Sequence, residues 1–308
     1  MKRNHGIGWS FLPVIIMLCV QNMISIVGTE ILVMVDAYTF TGKTFTDFMN
    51  RILEDVQNTD FLLFLNLCYA VICAVWFGIW YYNLTHNHPV SHPNVDVKDI
   101  AQDIARERKG WFDGHKWPII PGMLILAFGA QYLCTYLMNF VATLVPRWLE
   151  IYQELFDMIG LSGDSNMTVT LFLYVVLLGP VAEELAFRGL TFFYARRAAG
   201  FWIANILQAF LFGAMHLNPL QGIYAFALGL LFGLVFEKSR NILITIVLHI
   251  LFNAVGVLSG DWMTMGDNAI SFFFILLGSL IATYIGYELV IRSIPRRIEI
   301  EEKPKNNF

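Results

Sequence analysis

Residues 61–82 read "FLLFLNLCYAVICAVWFGIWYY", twenty-two residues without a charge or a histidine. Few structures accommodate such a run. The hydrocarbon core of a bilayer is about 30 Å thick, and an α-helix rising about 1.5 Å per residue crosses it in roughly 20 residues. Loops and open sheet edges are excluded there, because their backbone N–H and C=O groups would lack partners. The run is read as a membrane helix, and it has company. Comparable stretches cover 11–35, 119–145, 168–187, 201–217, 219–236, 242–259 and 270–291, so about eight spans are predicted. The fourth continues as an amphipathic extension to about Arg197, and almost nothing separates the fifth from the sixth. Only 14% of the 308 residues are charged, against about 25% in a soluble domain. That is too little charge to coat a water-facing surface. The expected fold is all-α: a polytopic membrane helix bundle making one integral membrane domain, 1–308. The first apolar run follows a basic flank, but it continues too far for a signal peptide and lacks a small-x-small cleavage site, so it counts as a span.

Orientation follows from Lys and Arg, which are disfavoured on the translocated side. With the N-terminus inside, 17 of the 20 fall in inside segments; only Lys43, Arg51 and Arg147 fall outside. Both termini are therefore expected to be cytoplasmic, which requires an even number of spans. Arg188 is counted inside; assigning it to a site instead leaves 16 against 3. The outside segments are acidic, with Asp47, Glu54, Asp55, Glu150, Glu154 and Asp157 among them, and Glu30 and Asp36 at the outer end of the first span are expected to meet water. The inside loop 83–118 carries Val95, Val97, Ile100 and Ile104 between charges. It reads equally as an interfacial helix or as a solvated one. Residues 293–308 form a polar tail. A net charge of −4 without a basic block gives no footing for nucleic acid, so the lipid bilayer is the expected partner. Cys19, Cys68, Cys73 and Cys134 all lie in apolar stretches and read as small hydrophobes.

The segment "GPVAEELAFRGL", Gly179 to Leu190, breaks the apolar rule. Glu184 and Arg188 stand at i, i+4, one turn apart on one helix face, and can neutralise each other. Glu183, about 100° away in projection, has no countercharge of its own. Two further pairs at i, i+4 occur: Phe212 and His216 in "FGAMH", and His249 and Asn253 in "HILFN". His216 and His249 are the only histidines within spans. The fourth and fifth spans should reverse near residues 198–200, which puts Glu183 and His216 at matching depth, about 20–25 Å along their helices from that turn. The seventh span brings His249 and Asn253 to a compatible level, nearer the cytoplasm. Each residue alone has a structural reading: interhelical hydrogen bonding for a histidine or asparagine, an ion pair for Glu184 and Arg188. An unpaired intramembrane glutamate is by default a functional residue, and its convergence with two imidazoles and an amide makes the region 168–258 the candidate catalytic core.

These three segments resemble the EExxxR, FxxxH and HxxxN motifs of the CPBP family (Abi family), intramembrane proteases related to the type II CAAX prenyl endopeptidases. The motifs occur in the family's order and none departs from its pattern. The resemblance implies a peptide-bond hydrolase acting on a membrane-associated protein or peptide. It implies that Glu183 activates water with His216 as partner, that His249 and Asn253 stabilise the oxyanion, and that Glu184 and Arg188, with Phe212, support them. A general base near operating pH and preformed oxyanion donors are what that chemistry needs. No cofactor is then required. The mechanistic alternative is zinc held by Glu183, His216 and His249, although no HExxH is present. The alternative from another class is a non-enzymatic immunity or transport protein, against which stands the lack of repeated halves. The expected location is a bacterial cell membrane.

Overall fold

The computed structural model describes residues 6–42, 44–87, 117–158, 168–259, 265–266 and 268–294. The proposed interfacial helix of the 83–118 loop and most of the polar tail lie outside them. The described residues form helices α1 (Gly6–Trp9), α2 (Leu12–Thr39), α3 (Phe45–Val56), α4 (Thr59–Asn87), α5 (Ile119–Leu144), α6 (Pro146–Met158), α7 (Val169–Ala198), α8 (Phe201–Met215), α9 (Pro219–Ser239), α10 (Ile242–Ser259) and α11 (Ala269–Ser293). Among them there is no strand. Seven are long and apolar enough to cross a bilayer: α2 with its lead-in, α4, α5, α7, α9, α10 and α11. The eighth apolar helix, α8, has 15 residues, about 22 Å, which falls short of the hydrocarbon thickness. The sequence expects a full span over 201–217. The chain instead leaves the helix at His216, adopts a left-handed conformation at Leu217 (φ 53°) and restarts at Pro219 with Asn218 as cap. The reversal between α7 and α8 lies where it is expected, with Ala199 and Gly200 extended.

α3 and α6 are helices that hydropathy does not announce. Both are amphipathic and join consecutive spans at one end of the bundle, where Thr59 Oγ1 donates to the Met158 carbonyl at 3.2 Å. A Thr44–Asp47 capping box starts α3. Asp36 does not meet water as expected: it is 2% exposed and pairs with Arg51 of α3 at 3.1 Å. Glu30 is exposed. The opposite end is closed by Trp9 of α1 stacking on Tyr194 of α7 and by Glu237 of α9, which accepts from Arg196 at 3.0 Å and from Arg240 at 2.8 Å.

Two apolar clusters hold the bundle. One centres on Phe77, Phe187, Phe192 and Phe212 from α4, α7 and α8; the other on Leu126, Phe232, Leu248 and Phe252 from α5, α9 and α10. Helices in lipid gain no hydrophobic drive to associate, so close packing and buried hydrogen bonds must supply the attraction. The α8–α9 hairpin shows both. Asn205 and Gln208, each fully buried on α8, donate to the carbonyls of Leu230 (3.1 Å) and Gly229 (2.8 Å) on α9, and Gln208 also donates to Asn205 Oδ1 at 2.8 Å. Gly233 permits this approach, since a Cβ there would overlap Asn205 Oδ1. Gly233→Ala should therefore cost about 1–3 kcal/mol through overpacking, read as a lower melting temperature of the detergent-solubilised protein.

Candidate active site

The site forms where the two apolar clusters meet, on α7, α8 and α10. Its foundation is Glu184, midway along α7 and 0% exposed. One oxygen, Oε1, accepts from Arg188 Nη1 at 2.8 Å and from His249 Nδ1 at 2.9 Å. Arg188 is also 0% exposed. The sequence count that placed it among loop cations is therefore corrected, and it belongs to the site. Its guanidinium lies over two rings, 4.6 Å from the centroid of Phe212 and 5.3 Å from that of Phe232. The aromatic faces add cation–π attraction where water is excluded. Phe232 stands on α9 outside all three motifs, and only the folded chain reveals it.

The segment carrying these residues is not a uniform α-helix. Leu173–Leu178 and Leu185–Thr191 form wider π turns on either side of an α-helical Gly179–Glu184. Such turns recur at functional sites because they re-aim side chains and free backbone groups. Glu184 and Arg188 still share a face, as their spacing predicts. Glu183, the preceding residue, is turned away from the pair and has a side chain 29% exposed.

His249 links the two glutamates. With Nδ1 on Glu184, its Nε2 faces Glu183 Oε2 at 3.7 Å. Its ring packs edge-on to Phe212 and tilted on Phe232, with centroids 5.8 and 5.3 Å apart, which fixes the imidazole plane. Asn253, one turn further along α10, donates from Nδ2 to the Val175 carbonyl at 2.8 Å.

The FxxxH spacing has a local cause. At the end of α8 the His216 N–H bonds the Gly213 carbonyl instead of that of Phe212. The orphaned Phe212 carbonyl is met by His216 Nδ1 at 2.9 Å. Nδ1 is thereby assigned as the donor, which leaves Nε2 as an acceptor. The Phe212 ring packs edge-on against His216 at 5.0 Å. Phe212 thus touches His216, His249 and Arg188 together. His216 makes no hydrogen bond or ion pair with Glu183 among the described residues, and the two interact across a longer gap.

Three tyrosines escape sequence reasoning. Tyr69 of α4, Tyr174 of α7 and Tyr224 of α9 all lie within electrostatic reach of Glu183. No periodic signal separates them from ordinary core aromatics. Among the described residues, no three His, Cys, Asp or Glu side chains gather in a metal-binding group. Glu183, His216 and His249, the three zinc candidates, do not converge in that manner. Cys73 and Cys134 are buried and Cys19 is exposed, and all four cysteines are free thiols.

One comparison with known proteins covers the segment that carries these residues. Residues 165–255 match a family model, described as type II CAAX prenyl endopeptidase Rce1-like. The matched segment holds every motif residue named above, and it bears out the resemblance to the CPBP and CAAX proteases. No curated protein and no solved structure matches the chain.

The ion pair gives a direct test. Arg188→Ala leaves the Glu184 carboxylate buried with only an imidazole beside it. Removing one partner of a fully buried pair costs about 3–5 kcal/mol. The expected outcome is a marked fall in melting temperature and in yield of monodisperse protein. Arg188→Lys, which keeps the charge but loses the planar group between two rings, should recover only part of it.

Proposed function

We propose that this chain is an intramembrane endopeptidase that hydrolyses a peptide bond of a membrane-associated protein or peptide, with Glu183 as the general base. The observation that carries the reading is the contrast between two adjacent carboxylates. Glu184 is sealed, with Oε1 held by Arg188 and His249, whereas Glu183 is partly open and directed at Nε2 of His249. A carboxylate in such a position can take a proton from water without breaking an existing hydrogen bond.

In this mechanism a water molecule lies between Glu183 and Nε2 of His216. Glu183 removes its proton, the hydroxide adds to the scissile carbonyl, and the proton passes to the leaving nitrogen. His249 Nε2, when protonated, donates to the oxyanion. Glu184 and Arg188 hold His249 in place and balance charge in a medium of low dielectric. The tyrosine hydroxyls near Glu183 add polar lining to an otherwise apolar cleft. The mechanism is written without a metal: Nδ1 of each imidazole is held, by the Phe212 carbonyl and by Glu184, and the two Nε2 atoms serve water and oxyanion. In this reading the short α8 counts as the eighth crossing, both termini lie in the cytoplasm, and the site opens toward that side of a bacterial cell membrane, where membrane-tethered substrates become accessible. The charge distribution of the loops supports this orientation.

Comparative peptidomics of cells carrying wild type or Glu183→Gln, with a farnesylated CAAX peptide as an in vitro probe, tests the activity. Glu183→Gln is nearly isosteric and should melt with wild type while losing about 10²–10⁴-fold in cleavage. Identical peptide sets from the two strains would refute the endopeptidase. Metal dependence is tested separately: protein stripped by chelator should retain full cleavage, and loss restored by zinc would instead support the zinc mechanism.

A further inference from the structure

Val175 lies at a double irregularity. In a regular α-helix its carbonyl would accept the N–H of Gly179, four residues on. The π turn over Leu173–Leu178 diverts that N–H to the Tyr174 carbonyl. In the wider register the next donor for Val175 would be residue 180. That residue is proline, which has no N–H. The Val175 carbonyl thus loses both possible backbone partners inside an apolar bundle, where an unpaired peptide group is strongly unfavourable. Asn253 Nδ2 meets it at 2.8 Å from the neighbouring helix.

The placement of this bond matters. Pro180 precedes Glu183 by three residues, nearly one turn of α7. Asn253 follows His249 by four, one turn of α10. Val175 itself lies eight residues, about two turns of α7, before Glu183, so the hydrogen bond ties α7 two turns ahead of the base to the turn beyond the imidazole that faces it. We propose that Asn253 is a positioning residue: it supplies the N–H that Pro180 lacks and, through Val175, sets the 3.7 Å separation between Glu183 Oε2 and His249 Nε2. This differs from the oxyanion role that the family resemblance implies, and it rests on the endopeptidase reading only where cleavage is the readout. Glu184–His249 alone would fasten α7 to α10 at a single point and allow rotation about it. The Asn253–Val175 bond is a second point, one turn away on α10 and about two and a half turns away on α7, and opposes that rotation.

A double-mutant cycle tests the proposal on the full-length protein, with melting temperature in detergent and cleavage products by peptidomics as readouts. Asn253→Ala should lower the melting temperature by several degrees and reduce cleavage about a hundredfold, the scale expected for a small misplacement of reacting groups. Pro180→Ala restores an N–H within reach of Val175 and should stay close to wild type in both. The variant with both substitutions should regain most of the lost stability and cleavage, since Val175 then has a backbone donor. If Asn253→Ala does not fold while the double variant does, the proposal is supported. It is overturned if Asn253→Ala melts with wild type, or if neither measure recovers in the double variant. Recovery of stability without cleavage also overturns it and identifies Asn253 as a direct oxyanion donor. If wild type and Glu183→Gln yield the same peptides, the endopeptidase reading fails, and the coupling in melting temperature alone decides whether Asn253 clamps the helices.

Discussion

A carboxylate with no exposure to water, Glu184, governs the arrangement of this bundle. Its desolvation cannot be offset by one partner with ordinary geometry. The structure therefore directs two donors onto one oxygen, Arg188 from its own helix and His249 from α10. Arg188 in turn must lose water, and two phenylalanine faces from α8 and α9 surround it. Four helices are thus committed to one locus by a single buried charge. Each additional helix is recruited to solve the problem that the previous burial created. His249 acquires its orientation as a result, and that orientation points its free nitrogen at Glu183.

The two adjacent glutamates sit in opposite environments. They differ by one residue, hence by about 100° around the helix axis. That rotation carries one side chain into a closed ion-pair network and the other toward an opening. Glu183 keeps a 29% exposed side chain while Glu184 keeps none. In the proposed mechanism a pair of identical residues in sequence becomes a base and a support because the helix separates their environments.

The spans, the reversal near residues 198–200 and the three motif pairs are legible in the sequence because they depend on composition and on fixed helical spacing. Glu184–Arg188 is local, and so is Phe212–His216. What escapes is whatever depends on contact between distant segments or on departures from the α register. Hydropathy over 201–217 counts apolar residues but does not see that the helix stops at His216. The same measure passes over α3 and α6, whose amphipathic periods are short, and it leaves Asp36 apparently free when Arg51 in fact covers it. Asn205 and Gln208 read as isolated polar residues until α9 brings Gly229, Leu230 and Gly233 beside them. Phe232 and the tyrosines around Glu183 sit in stretches where every residue is apolar or aromatic, so no contrast marks them. The π turns on either side of Gly179–Glu184 leave no compositional trace apart from Pro180.

The short helix α8 has a bearing on solvent. A chain that reverses at Leu217 and resumes at Pro219 carries non-helical peptide groups between two apolar helices. Such a bend is tolerated in a bilayer only against protein or beside an aqueous inlet. Leu217 itself is 77% exposed, so protein does not cover the corner completely. Under the proposed mechanism, the break that lets His216 cap its own helix would also be where water, the reagent consumed in hydrolysis, approaches the imidazole.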